Sequence, residues 1–542
     1  MRIIRPARRR TGALVIGVLL AAGSPALLPS PADAARVPDV TDAGVETLSR
    51  WLASGKVTSA QLVRAYEKRI AAYEGPYGSQ PGVNAVISLN GAALREAVRL
   101  DAERRRGRVR GPLHGVPILV KDNYDTADMP TTNASLALAG TRTPDDATQV
   151  KRLRDAGAII LGKTNLHEYA FGVTTISSLG GQTRNPYDQS RNPGGSSGGT
   201  GAGVAAGFAP IGMGTDTCGS IRIPSSHNSL VGLRPTLGLS SRDGIMPMSQ
   251  TQDTGGPLGR SVRDVALVLD ATVGYDPKDP VTKAALGRTP RSYVSGLDDR
   301  ALRGRRIGVM SGLFLAKGDQ KQTSDLVRAA AQDMRRQGAT VVDLGAQTGL
   351  LTAMDDASVV LGEFERDLNA YLASPGMRFP KGLAAKEAPY DKVTLADIVT
   401  SGKVTPSVLA ILKTLVGTTP KAGTPQAKSY ATMLANRAKF QKMLGDLYAA
   451  YRLDAVVYPT ITQQAQPLED PDANANRNCA MSANSGYPAL SVPAGFTAQG
   501  MPVGVELLGR PFSEPTLLAM GYDYEQATGK RRAPSSTPPL KG

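Results

Sequence analysis

Short runs that are apolar at every position constrain this chain most, because such runs suit a sheet covered on both faces. Val116-Pro-Ile-Leu-Val120 is one and Ala158-Ile-Ile-Leu161 another. A helical pattern precedes the second: Val150 and Leu153 share a face, and Gly157 closes the helix. The helix–strand unit returns as a strand pattern at Ile307–Met310, a helical pattern over about 323–336 and a strand pattern at 340–344. Further strand patterns lie at 455–458, 489–492 and 503–508. This alternation predicts a layered α/β/α fold around a large mixed, mainly parallel central sheet. Residues from about 354 to 450 read as helical and interrupt the pattern as an insertion. Near the start, Thr58 and Gln61 stand at capping-box spacing before a helix with Leu62, Tyr66, Ile70 and Tyr73 on one face.

The ends of the chain differ from its body. Arg8, Arg9 and Arg10 precede an apolar run from Ala13 to Ala22, and Ala32-Asp33-Ala34 offers a small-x-small cleavage site. Residues 1–34 therefore read as a secretory signal peptide. The apolar run is shorter than the ~20 residues that span a bilayer, so the expected mature protein is secreted, without a membrane anchor. Cleavage removes five arginines and one aspartate and lowers the formal net charge from +16 to +12. The remaining excess is spread thinly, with no basic face interleaved with aromatics, which argues against nucleic-acid binding. The body of the protein is expected over 40–528, and 529–542 reads as a loose polar tail.

Histidine bounds the chemistry. Only His114, His167 and His227 occur, none at zinc-ligand spacing, and the two cysteines stand 261 positions apart, so no protein-built zinc site is expected. Gly194-Gly-Ser-Ser-Gly-Gly-Thr-Gly-Ala-Gly203 lacks the Lys-Ser/Thr that ends a phosphate-binding loop, and no apolar strand feeds it as a dinucleotide fingerprint requires. Ser196 within it fits the G-x-S-x-G nucleophile elbow, but that elbow needs a histidine far downstream, and none follows His227. A serine hydrolase in this position needs another base, and lysine is the documented substitute. Such a lysine must be neutral, and burial can lower a lysine pKa by up to ~3–5 units. Lys121, directly after the run 116–120, sits where a strand end meets a buried edge. On position alone it is equally a base or half of an ion pair with Asp122 or Asp125.

Longer motifs add to this. Leu113-His-Gly-Val-Pro-Ile-Leu-Val-Lys-Asp-Asn123, Ala156-Gly-Ala-Ile-Ile-Leu-Gly-Lys-Thr-Asn165, Gly194-Gly-Ser-Ser-Gly-Gly199 and Gly214-Thr-Asp-Thr-Cys-Gly-Ser-Ile-Arg-Ile-Pro224 together resemble the amidase-signature family. The resemblance implies that Ser220 is the nucleophile, that Ser196 is a bridging serine after a cis peptide bond, and that Lys121 is the base acting through Ser196. Ser197 matches a supporting position. The resemblance further implies an oxyanion hole of backbone N–H groups from Thr217, Cys218, Gly219 and Ser220, braced by Asp216 and Arg222. Cys218 departs from the Gly or Asp usual there. Glu363-Phe364…Asp367-Leu368-Asn369…Tyr371 and Gly244…Gln252-Asp253-Thr254 resemble the peptide-amidase-like branch.

What this implies is amidase chemistry on a small-molecule or peptide amide, through an acyl-enzyme and without a cofactor. The alternatives are an esterase on the same triad, an inactive binding module and a component of an ammonia-supplying amidotransferase. Export, the two cysteines and the family's placement of the segment before residue 483 near the site further imply a Cys218–Cys479 disulfide. The helix around 361–372 is expected to cover part of the substrate pocket, with Phe364 and Tyr371 beside it.

Overall fold

The computed structural model describes residues 37–383, 393–469 and 478–540; the expected signal peptide lies outside them. Eleven strands form one sheet: β1 (Val86–Leu89), β2 (Pro117–Lys121), β3 (Ile159–Thr164), β6 (Ile211–Asp216), β7 (Val231–Arg234), β8 (Thr254–Gly259), β9 (Arg306–Val309), β10 (Thr340–Asp343), β11 (Ala455–Pro459), β12 (Ala489–Phe496) and β13 (Pro502–Leu508). Two short strands, β4 (Ile176–Ser177) and β5 (Gly181–Gln182), pair separately. The order across the sheet is β1-β3-β2-β6-β8-β7-β12-β13-β11-β9-β10.

The sheet is mixed, but the expectation that it is mainly parallel is corrected. Parallel pairs are confined to β3-β2-β6 near one edge and β11-β9-β10 at the other. The middle, β6-β8-β7-β12-β13-β11, is antiparallel throughout. The connections explain the difference. Helices Thr148–Asp155 and Gly318–Arg336 carry the chain across between β2 and β3 and between β9 and β10, as parallel neighbours require. A tight turn, with Thr497 N–H donating to Met501 O at 2.9 Å, joins β12 to β13 and forces them antiparallel.

Strands β6 and β8 are glycine-rich because neighbours approach closely. A Cβ at Gly212 would sit 2.5 Å from Thr200 Cγ2, and one at Gly214 would sit 2.8 Å from Ser197 Oγ. Both neighbours belong to the Gly/Ser segment and the helix Gly198–Ala205 that follows it. The segment is therefore laid directly on the sheet, fully buried, and is no linker. One apolar core gathers around β2 and β3 and another around β12 and β13.

Between β10 and β11 the described residues form five helices from Thr348 to Tyr451, and Phe364, Leu368 and Leu372 share an apolar core with Ala137, Leu138, Tyr169, Met246 and Met248 of the body. The described residues 529–540 form no helix or strand yet are strapped to the body. Arg69 donates to the carbonyls of Thr537 (2.6 Å) and Pro538 (2.9 Å), and Tyr73 donates to Pro538 O at 2.8 Å. The expectation of a loose tail overlooked Arg69, whose buried guanidinium needs these acceptors. Among the described residues no helix is long and apolar enough to cross a membrane.

Candidate active site

Lys121, the last residue of β2, has no solvent exposure. Its Nζ lies 2.8 Å from Ser196 Oγ and 2.7 Å from Thr215 Oγ1. Asn123 Nδ2 donates to the same Thr215 oxygen at 3.0 Å. Among the described residues no carboxylate lies within ion-pair distance of Lys121. Asp122, the partner one reading proposed, instead faces Lys163 at 3.3 Å, and Asp125 accepts from the Tyr371 hydroxyl. Burial drives the Lys121 pKa down to about 7, against smaller opposing effects of Asp216 and Asp253.

The Gly195–Ser196 peptide bond is cis. Ser196 O accepts from His167 N–H at 3.0 Å, and Ser197 N–H donates to Ser220 O at 3.2 Å. The serine pair and the Ser220 loop are thus joined backbone to backbone. Ser197 Oγ donates to Thr215 O at 3.1 Å and stands 3.3 Å from Thr215 N, which ties the pair to β6 as well. The Ser220 hydroxyl has no hydrogen-bond partner among the described residues, and Ser220 is only 5% exposed. It sits just before the short helix Arg222–His227.

Asp216 organises the loop between β6 and that helix. Its carboxylate accepts from Gly219 N–H (2.8 Å) and Ile221 N–H (3.2 Å) and from Arg222 Nε (3.0 Å). Arg234 on β7 adds a second cation 3.1 Å away. Burial would raise the Asp216 pKa, but Arg222 and Arg234 outweigh it and hold the carboxyl below the usual range. Arg222 also donates to Glu506 on β13, which in turn accepts from Tyr458 at 2.7 Å. These charges are fully buried and paired, the condition under which burial is tolerable, although Arg234 Nε and Glu506 Oε2 have no hydrogen-bond partner among the described residues.

Gly219 was expected among the oxyanion donors, and here the reading is corrected: its N–H is committed to Asp216. The N–H groups of Thr217, Cys218 and Ser220 have no acceptor among the described residues, which leaves three donors for an incoming oxyanion. Gly219 serves the loop differently. Its φ of +88° and the 2.6 Å approach of Ile223 Cδ1 to a Cβ there admit no side chain. Cys218 is bonded to Cys479, so the unusual side chain is drawn out of the loop and anchors it to the helix Ala480–Ser485.

Sequence reasoning missed the parts played by Thr215 and Lys163, which lie inside quoted motifs, and by Arg234 and Glu506, which lie outside them; all four acquire meaning only from the strands they meet. Phe364, expected beside the pocket, is a core residue. It is fully buried and packs edge-to-face on Phe171 with ring centroids 4.7 Å apart.

Relatives place the chain. The Amidase family model matches residues 61–518. The structure of a peptide amidase from Stenotrophomonas maltophilia superposes with a TM-score of 0.79 at 39% identity, covering 91% of this chain and 98% of that one. An amidase family protein from Bacillus anthracis superposes with a TM-score of 0.77 at 30% identity, covering 92% and 93%. Among curated proteins, a glutamyl-tRNA(Gln) amidotransferase subunit of Symbiobacterium thermophilum is 35% identical over 502 residues, 90% of this chain and 97% of that protein. The matching subunit of Thermobifida fusca is 42% identical over 307 residues, and the match spans only 58% of its length. With its family model spanning most of the sequence and both serines and the lysine of the signature in one buried cluster, the chain belongs to the amidase family of carbon–nitrogen hydrolases.

Proposed function

We propose that this protein is an exported amidohydrolase that cleaves carboxylic amide C–N bonds by acyl transfer, with Ser220 as nucleophile, Ser196 as relay and Lys121 as base. The observation that carries the reading is a buried lysine whose near polar partners are hydroxyls. Neutral lysine has two N–H bonds and one lone pair. Thr215 takes one N–H, which turns the lone pair toward the Ser196 hydroxyl. Ser196 gives its proton to Lys121 as it accepts the proton of Ser220. Ser220 Oγ then bonds to the amide carbon. The developing oxyanion is received by the N–H groups of Thr217, Cys218 and Ser220. The proton returns through Ser196 to the amine as the C–N bond breaks, and water then cleaves the acyl-enzyme.

Export is supported by the pattern of residues 1–34 and by the Cys218–Cys479 bond, which persists in an oxidising compartment. Similarity to the Stenotrophomonas peptide amidase points to C-terminally amidated peptides as the first substrate class to try. Similarity to the glutamyl-tRNA(Gln) amidotransferase relatives supports a second reading, release of ammonia from glutamine within a larger assembly. Turnover of amidated peptides, simple primary amides, anilides, esters and glutamine by the purified protein tests these readings. Hydrolysis of the first three with inert glutamine is the expected result. Turnover of glutamine alone would favour the second reading, and faster turnover of matched esters would make the protein an esterase.

A further inference from the structure

We propose that Asp253 is a positioning residue of this site: its carboxylate fixes the Thr217 end of the loop carrying Ser220 to the turn 248–253, which the helical insertion holds on its other side. The proposal rests on the functional reading above. Asp253 closes the turn that leads into β8. One carboxylate oxygen accepts from Thr217 Oγ1 at 2.6 Å. The other accepts from the N–H groups of Met248 (2.7 Å) and Ser249 (2.9 Å). Neighbouring Gln252 grips the same loop through its amide, with Nε2 lying 3.4 Å from Thr217 O and 3.1 Å from Asn484 Oδ1. Its Oε1 accepts Val359 N–H at 2.7 Å.

The far side of the turn belongs to the insertion. On the helix Val360–Leu372, Glu363 accepts from Thr251 N–H at 3.0 Å and Asp367 from Gln250 N–H at 2.7 Å. Thr217 is thus held at its hydroxyl and its carbonyl, while its N–H remains for the oxyanion. A displaced donor loses its advantage steeply, since a misplacement of about 1 Å can cost ~10²-fold. Asp253 also acts on the base by its charge. Asp216 and Asp253 both favour the protonated form of Lys121, against burial. His167, whose pKa burial and Lys121 lower to about 4, is neutral at working pH. The cations whose fields reach Asp253 are Arg242 and Arg234.

The test is the pH profile of kcat in Asp253→Asn, Thr217→Val and Thr217→Ser. Asp253→Asn is expected to lower kcat roughly ten- to hundred-fold and to move the acid limb to lower pH, because a negative charge near Lys121 is gone. A merely structural role would leave the limb in place, or move it up as water entered; either result, or unchanged kcat, overturns the proposal. Should Asp253→Asn not fold, Thr217→Val decides: a kcat loss largely regained in Thr217→Ser supports the proposal, and an unchanged kcat overturns it. Fluorophosphonate labelling of Ser220 in the wild-type protein separates the two layers. A labelled Ser220 with an unaffected Asp253→Asn overturns this inference alone, whereas an unreactive Ser220 overturns the functional reading together with it.

Discussion

Lys121 and Lys163 lie on neighbouring parallel strands at almost one level of the sheet, where Lys121 pairs with Thr164 and Val120 with Lys163. Both are without solvent exposure. Successive side chains on a strand point to opposite faces, so the two lysines enter different surroundings. Lys163 meets Asp122 at 3.3 Å, Pro130 O at 2.9 Å and Thr131 Oγ1 at 3.1 Å. Lys121 meets two hydroxyls. Burial lowers both pKa values, but only around Lys163 does an adjacent carboxylate offset it with a direct ion pair. Burial supplies the same pressure in both places, and the partner separates the ion-paired lysine from the one proposed as the base.

The largest expected effect separates the two at once. Lys121→Met should lower kcat by about 10²–10⁴-fold in a protein that still folds, read from steady-state rates alongside a thermal melt. Lys163→Met should instead act on folding, costing about 3–5 kcal/mol because Asp122 is left buried and unpaired. Denaturant unfolding measures this, and the added change Asp122→Asn should recover a large part. Equal stability losses at the two positions would break the comparison.

A finer contrast lies in the pH dependence of stability. The Lys121 pKa falls from its ordinary 10.5 to about 7 on folding, so between those values the unfolded chain holds a proton that the folded chain lacks. Wild-type stability should therefore rise with pH, relative to Lys121→Met, by about 1.4 kcal/mol per unit over that window. Denaturant unfolding of both proteins at pH 7, 8 and 9 checks the slope; parallel curves would mean that Lys121 stays charged. The smallest effect touches only the Lys121 side. Reducing the Cys218–Cys479 bond should lower kcat several-fold before the fold is lost, since the bond anchors the loop beside Ser220. An activity indifferent to reduction would leave the anchor without a catalytic role.

Much of this was legible in the sequence, for reasons that can be named. The run 116–120 marked a doubly covered strand and placed Lys121 at its end, the scarcity of histidine pointed to lysine as the alternative base for a serine hydrolase, and only the resemblance chose between base and ion pair for Lys121. Strands β6 and β8 were not legible, because the β6 glycines answer to the approach of Ser197, Thr200 and Leu258, those of β8 to that of Tyr124 and the Leu233 carbonyl, and both sets erase the β-branched pattern of a strand. Strand direction was not legible either, since an apolar run reads the same both ways. Lys121 precedes Asp-Asn and Lys163 precedes Thr-Asn, and nothing in those neighbours tells which lysine faces a carboxylate. That choice is made by Asp122, which turns to the face opposite Lys121.

The rate of Ser220 phosphonylation by a fluorophosphonate, followed against pH in the wild-type protein and in Lys121→Met, tests the central claim most directly. The account predicts that the wild-type rate rises with pH, with its half-point near 7, and that peptide mapping finds the label on Ser220. In Lys121→Met that limb should vanish and the rate fall by orders of magnitude. Labelling at Ser196, or a limb that survives unchanged without the lysine, would contradict the account.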